Sequence, residues 1–293
     1  MFLPRKILEE KLRQMLAEDI GQGDITSSLI IPEGCVAEAE IITKEHGVAA
    51  GIEEAGVLLE SLGLKFEAFV KDGDEIKPKQ VLIKVYGDAR TILAVERTLL
   101  NIISRMSGIA TTTRKLVEEI RKAGYKTKVA CTRKTAPGLL YFDKKAVLIG
   151  GGETHRLHLD DMILIKDNHI KIAGSVEKAV KTAREKVSFS KKIEVEASDV
   201  EEALAAAKAG ADIIMFDNFT LNQIKRAVKE LEEASFLRKV LLEASGGITA
   251  ENIVAYASTG VDIVSLGEIT DSVRALDLSL EITETWNAKL PEK

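Results

Sequence analysis

Arg133-Lys134, His155-Arg156 and Lys166 form a run of basic groups, and Glu196, Asp217, Ser245-Gly246-Gly247 and Gly267 follow them in the chain. Several cations gathered together suit a substrate with several negative charges, carboxylates together with phosphates, because a guanidinium offers a planar fork to such groups. Ser245-Gly246-Gly247 leads into Ile248-Thr249-Ala250-Glu251, a glycine turn opening into a capped helix. Bare backbone N–H groups and a helix N-terminus favour a phosphate there, and Gly267 repeats the pattern one unit later. Glu196 and Asp217 beside that site suit Mg²⁺ or ribose hydroxyls; general acid–base work, or simple balance of Lys166 and Arg156, are the other uses of such a pair. Lys166 has its own alternative as a Schiff-base lysine, which the neighbouring Asp167 disfavours.

These residues need a scaffold that delivers them to one place. All but His155-Arg156 follow a short apolar run: Val129-Ala130-Cys131, Met162 to Ile165, Ile193-Glu194-Val195, Ile213 to Phe216, Val240-Leu241-Leu242 and Ile263 to Leu266. Helical periods such as Val200 to Ala209 and Leu221 to Glu233 lie between them, and strand-then-helix repeats predict a parallel sheet with helices outside. Ala146 to Ile149 is read as a further, weaker strand. From Lys166 through Glu196, Asp217 and Ser245 to Gly267 the separations are 30, 21, 28 and 22 residues, one βα unit each. A barrel of about seven strands brings such strand ends to a single mouth, where barrel enzymes place their chemistry.

Upstream, Ile7, Leu8, Leu12, Met15 and Leu16 recur at helical spacing, Ala37 to Ile42 and Val81 to Val85 alternate like strands, and Glu53 to Leu62 reads as a helix. Residues 90 to 106 predict a strong helix broken at Ser107-Gly108, with a second helix running to about Ala123. Gly150-Gly151-Gly152 reads as a loop, and His46 and His158 as surface or structural residues.

Composition limits the function classes. The chain has 293 residues, 41 Lys+Arg against 46 Asp+Glu for a charge of −5, and 45% hydrophobic residues, which excludes disorder and coiled coil. The acidic balance argues against a nucleic-acid partner. No stretch approaches the roughly 20 apolar residues of a membrane span, and Met1 to Lys6 becomes charged too soon for a signal peptide, so no membrane partner and a cytoplasmic setting are expected. Cys35 and Cys131 are too few for a disulfide framework and read as reduced thiols.

Taken together the motifs resemble those of the quinolinate phosphoribosyltransferases. Thr132-Arg133-Lys134-Thr135-Ala136-Pro137-Gly138 is similar to the family's TRKTxPG signature. Gly150-Gly151-Gly152-Glu153-Thr154-His155-Arg156, continuing to Leu164-Ile165-Lys166-Asp167-Asn168-His169, resembles its GGGxxHR and LIKDNH blocks. Glu194-Val195-Glu196, Phe216-Asp217-Asn218 and Glu243-Ala244-Ser245-Gly246-Gly247 resemble later blocks, and Glu18 to Asp24 resembles its EDxGxGD opening.

The resemblance implies an α/β fold of the type II phosphoribosyltransferases, an incomplete seven-stranded α/β barrel with an N-terminal α/β sandwich domain. The sandwich is expected over residues 1–108, joined by the tail 273–293, and the barrel over 109–272. The implied reaction transfers phosphoribosyl from phosphoribosyl pyrophosphate to quinolinate, with Mg²⁺, giving nicotinate mononucleotide, CO₂ and pyrophosphate in NAD biosynthesis. A homodimer with shared sites is implied, with a hexamer as a further possibility, the sandwich of one subunit covering the barrel of the other.

By the same resemblance Arg133, His155, Arg156 and a partner's Arg97 clamp the dicarboxylate, and Lys134 and Lys166 meet pyrophosphate and developing charge. Glu196 and Asp217 serve ribose and metal, while Ser245, Gly246, Gly247 and Gly267 cradle the 5-phosphate. Cys131 and Leu140 stand where the family usually has Asp and Arg. Nicotinate as acceptor, a Schiff-base aldolase using Lys166 and a non-catalytic phosphosugar binder are the competing readings.

Overall fold

A computed structural model describes residues 3–287. In chain order they form α1 (Arg5–Ile20), α2 (Ile25–Ile30), β1 (Cys35–Thr43), β2 (Gly47–Val48), α3 (Ile52–Ser61), β3 (Lys65–Ala68), β4 (Glu75–Ile76), β5 (Val81–Asp88) and α4 (Ala89–Lys122). There follow β6 (Lys128–Cys131), α5 (Leu140–Gly150), β7 (Ile163–Ile165), α6 (Asp167–Ala173), α7 (Val176–Lys186), β8 (Ile193–Ala197), α8 (Val200–Ala209) and β9 (Ile213–Asp217). The last elements are α9 (Leu221–Glu233), β10 (Leu241–Ser245), α10 (Ile253–Ala257), β11 (Ile263–Leu266), α11 (Glu268–Asp271) and β12 (Leu278–Asn287). No helix among the described residues is long and apolar enough to cross a membrane.

The chain divides into two compact units. One comprises the residues up to Thr112, Tyr141–Gly150 and the chain from Val273; the other comprises Thr113–Leu140 and Gly151–Ser272. The expected boundary between 108 and 109 therefore falls inside a continuous helix, four residues before the division, and Tyr141–Gly150 groups with the first unit. Of the expected tail 273–293, residues 288–293 lie outside the described residues.

The first unit is built on an antiparallel sheet in the order β12-β1-β5-β3. Alternation in β1 buries Cys35, Ala37, Ala39 and Ile41 and turns Glu38 and Glu40 to the other face, where Lys84 on β5 pairs with both at 2.9 and 3.2 Å. β12 runs antiparallel to β1 from Leu278 beside Thr43 to Asn287 beside Cys35.

Two sequence expectations are corrected in this unit. The helix does not break at Ser107-Gly108, because those residues mark a close packing contact within α4. The Ser107 hydroxyl accepts from the Ala50 N–H at 3.0 Å and donates to its carbonyl at 3.1 Å. A Cβ on Gly108 would collide with the Arg274 carbonyl and approach the Ala275 Cα at 3.0 Å. Glycine here makes room for a neighbouring chain segment, and its helical cost of about 1 kcal/mol is offset by that packing. Ala146 to Ile149, expected as a strand, lies in α5. A four-residue apolar run cannot distinguish strand from buried helix. The helix is decided upstream, where Tyr141, Phe142 and Asp143 are also buried and Asp143 receives a two-pronged bond from Arg105 at 2.7 and 2.9 Å.

The second unit carries a parallel sheet in the order β6-β11-β10-β9-β8-β7. β7 to β11 stand in chain order, and β11 returns to pair with β6. A seventh position exists as a single parallel rung: Glu153 bridges to Ala130, its N–H donating to Val129 O at 2.8 Å and its carbonyl accepting from Cys131 N at 3.1 Å. The ring thus has one seam, between Glu153 and β7, and is an incomplete barrel. Its helices begin with local caps that the sequence supplies: Ser175, Asp199 and Thr220 each accept from a backbone N–H three residues on.

Candidate active site

Strand alternation decides which side chains enter the barrel. Glu194 and Glu196 share one face of β8, Met215 and Asp217 one face of β9, and Glu243 and Ser245 one face of β10. In-register parallel pairing aligns Glu196 with Met215, Met215 with Glu243, and Asp217 with Ser245. Glu196, Asp217 and Ser245 therefore stand at the rim, and Glu194 and Glu243 lie one rung deeper than their strand-mates.

A cleft of about 870 Å³ opens over these strand ends. That is the size of a small-molecule site. Arg133, Lys134, His155, Arg156, Lys166, Glu196, Asp217, Ser245, Gly246, Gly247 and Gly267 all line it. Arg97, the remaining expected site residue, is exposed on α4, and its position in the chain belongs to the first unit.

The rim is ordered by short contacts. Lys166 Nζ donates to Glu196 Oε1 at 2.6 Å, and its backbone N–H is capped by His169 Nδ1 at 3.0 Å. A carboxylate partner and 44% side-chain exposure give Lys166 none of the apolar burial that an amine nucleophile needs, which removes the support for a Schiff base. Asn218, in a left-handed conformation (φ 56°), donates from Nδ2 to Asp217 Oδ2 at 3.0 Å and from its backbone N–H to Ser245 O at 2.9 Å. It also packs onto the glycine turn so closely that a Cβ on Gly246 (φ 89°) would collide with its side chain. At Gly267 a Cβ would stand 2.8 Å from Asp271 Oδ2 and 2.9 Å from Lys134 Cδ. Lys134 is held by Thr270, whose hydroxyl donates to its carbonyl at 2.8 Å. Both glycines thus leave space that ligand, lysine and acid would otherwise contest.

Beneath the rim lies a feature the sequence reading missed. Glu194 and Glu243 are fully buried, each places a carboxylate oxygen 3.3 Å from His155 Nε2, and their oxygens have no hydrogen-bond partner among the described residues. Burial pushes the Glu194 carboxyl above its ordinary range, partly opposed by His155. Burial also works against a charged His155, but the two carboxylates outweigh it and raise its affinity for a proton. His155 Nδ1 accepts the Arg156 backbone N–H at 2.8 Å, so a ring proton sits on Nε2, facing the two carboxylates. These three side chains bring potential ligand atoms within 4.8 Å of one another. A protonated Nε2 has no lone pair to give, so the trio does not suit a metal ion. Alternation offered the missing signal: if Glu196 and Ser245 face the cleft, Glu194 and Glu243 must face the same interior.

Arg156 is 9% exposed, and burial followed by repulsion from Arg133 lowers its pKa, opposed by Glu194 and Glu196. The cations thus converge over an acidic floor. Glu196 and Asp217 offer oxygen donors at the rim, and their hard carboxylates would suit a partly hydrated Mg²⁺ ion.

A parallel α/β barrel with converging cations, two rim acids and glycine turns at its last strand ends defines a transferase that handles a phosphorylated sugar and an acidic acceptor. Known proteins agree. Residues 24–107 match the N-terminal domain model of quinolinate phosphoribosyl transferase, and residues 109–281 match its C-terminal domain model. The chain is 45% identical over 271 residues to the probable nicotinate-nucleotide pyrophosphorylase [carboxylating] of Methanothermobacter thermautotrophicus, covering 92% of this chain and 97% of that protein. It is 42% identical over 281 residues to the Bacillus subtilis protein of the same description, covering 94% and 93%. The solved nicotinate-nucleotide pyrophosphorylase of Francisella tularensis superposes with a TM-score of 0.87 at 40% identity, covering 96% of this chain and 98% of that one. The chain belongs to the quinolinate phosphoribosyl transferase family.

Proposed function

We propose that this chain performs the carboxylating nicotinate-nucleotide pyrophosphorylase reaction of NAD biosynthesis and that the barrel cleft is where it happens. The pyridine nitrogen of quinolinate bonds to C1′ of phosphoribosyl pyrophosphate as the bond to pyrophosphate breaks. The carboxylate next to that nitrogen leaves as CO₂, and a proton takes its place, giving nicotinate mononucleotide. The observation that supports the reading is that Arg133, Lys134, His155, Arg156 and Lys166 line one cleft with the glycine turns at Ser245-Gly246-Gly247 and Gly267.

In this reading Arg133, His155 and Arg156 hold the dicarboxylate, and Ser245, Gly246, Gly247 and Gly267 hold the 5-phosphate. Lys134 and Lys166 meet the departing pyrophosphate, while Glu196 and Asp217 face the ribosyl group as it gains positive charge. Placement of charge supplies the rate, with no covalent enzyme intermediate. Glu196 and Asp217 would also hold Mg²⁺, which when bound neutralises pyrophosphate charge. The assembly in this reading is a homodimer in which Arg97 of each subunit completes the partner's clamp. Its setting is the cytoplasm, consistent with two buried cysteines that are not joined in a disulfide. Purified protein with phosphoribosyl pyrophosphate and Mg²⁺ should form nicotinate mononucleotide from quinolinate; failure with quinolinate alongside ready use of nicotinate would overturn the assignment.

A further inference from the structure

The two buried glutamates have no part in the roles just given, although burying two carboxylates is costly unless they are paired. Their surroundings assign them a task. After the single rung at Glu153 the chain turns through His155 in a left-handed conformation (φ 53°) that a residue with a side chain adopts only when its surroundings hold it there. Three contacts do so. The Thr154 hydroxyl donates to the His155 carbonyl at 2.8 Å, Nδ1 takes the Arg156 N–H at 2.8 Å, and Nε2 sits 3.3 Å from both Glu194 and Glu243. The Cys131 thiol of β6 donates to the Thr154 carbonyl at 3.5 Å, and the last of the three contacts ties the ring itself to the sheet. The carboxylates come from β8 and β10, on either side of β9 in the sheet, so they fix the ring to the rigid barrel wall.

From these contacts we propose that Glu194 and Glu243 are positioning residues for the acceptor half of the reaction. They grip the His155 imidazole from beneath, lock the strained turn, and thereby set where Arg156 meets the dicarboxylate. The phosphate end of the cleft is built from the glycine turns after β10 and β11; Glu243 stands on β10 two residues before Ser245, whereas β8 and its Glu194 lie apart from that end, so the Glu194 half isolates the grip. Rim residues such as Asp217 are ordered by Asn218 and are likewise independent of it.

The proposal rests on the reading that Arg133, His155 and Arg156 hold quinolinate. Wild-type protein is therefore assayed first: no turnover of quinolinate would defeat that reading, whereas turnover leaves the variants to judge the proposal alone. Glu194→Leu and Glu243→Leu should raise the KM for quinolinate at least tenfold, the scale expected when a reacting group is displaced by about an ångström. For Glu194→Leu the KM for phosphoribosyl pyrophosphate should stay within about twofold. Glu194→Gln and Glu243→Gln keep a carbonyl oxygen for the Nε2 proton and should recover most of the loss. Leucine variants that melt like wild type with an unchanged quinolinate KM, or a parallel rise in both KM values for Glu194→Leu, would overturn the proposal. If the leucine variants do not fold, Glu194→Ala and Glu243→Ala decide: a quinolinate-specific rise that the matching Gln variant recovers supports the grip, and an unchanged quinolinate KM refutes it.

Discussion

Two regions of this molecule gather a cation among carboxylates and put the arrangement to opposite use. In the first unit Lys145 on α5 is buried and reaches Glu53 Oε2 at 2.5 Å, Glu54 Oε1 at 2.7 Å and Asp72 Oδ2 at 3.7 Å, with Tyr141 donating to Glu54 at 3.3 Å. The ammonium is surrounded by three acids of its own unit. In the barrel cleft Lys166 shares only Glu196 and remains 44% exposed, and Arg133 and Lys134 open onto the same space. Charge enclosed by partners fixes helices; charge left facing solvent at strand ends is available to an incoming anion. The same residue types become structural or catalytic according to whether the fold completes their pairing before a substrate arrives.

The sharpest break of this comparison is Lys134→Ala, expected to cut turnover about 10²- to 10³-fold, as when one stabilising group is removed from a transition state. Its melting temperature should stay within about 2 °C of wild type, checked by calorimetry. Unfolding of that variant would place Lys134 with the structural cations instead. The reciprocal change, Lys145→Ala, leaves buried carboxylates uncompensated and should cost about 3–5 kcal/mol in a denaturant titration. Turnover of the surviving folded enzyme should change little, and a selective loss of kcat would erase the contrast.

A third change asks whether the cleft's charges are complete within one chain. Mixing Arg97→Ala with Arg133→Ala protein should restore part of the activity that each lacks alone, and no restoration would argue against a shared site. The smallest effect concerns pH. Burial raises the pKa of both Glu54 and Asp72, so the folded state holds their protons more tightly than the unfolded chain. Their contribution to stability is fully present below the ordinary values of 4.5 and 3.8 and is lost as pH rises through the elevated folded values. The melting curve of Glu54→Gln should therefore fall less than that of wild type as pH rises from about 4 toward neutrality.

Legibility in the sequence followed the range of the interactions involved. The strand-and-helix repeat from β6 to β11 was readable because period and capping are local, as with Ser175, Asp199 and Thr220. Rim residues were readable because each ends an apolar run and because their motifs resemble a family. Ser107-Gly108 was misread as a break because what requires a glycine there is the chain at Arg274, far away in sequence. Ala146 to Ile149 was misread because its short run fits either structure, and burial of Tyr141, Phe142 and Asp143 settles it. Glu194 and Glu243 were overlooked because an acidic residue inside a strand normally reads as solvent-facing.

By itself, then, the sequence determined the order of the elements, the spacing that sets one chemical residue at each strand end, and the glycine turns after the last strands. Tertiary structure decided which carboxylates lie beneath the cations, that one helix runs unbroken from Ala89 to Lys122, and that Tyr141–Gly150 leaves the barrel for the other unit. The physical reason is range. Periodicity and capping act over a few residues and are written in the local chain, whereas burial and the pairing of charge depend on segments that meet only when the sheet closes.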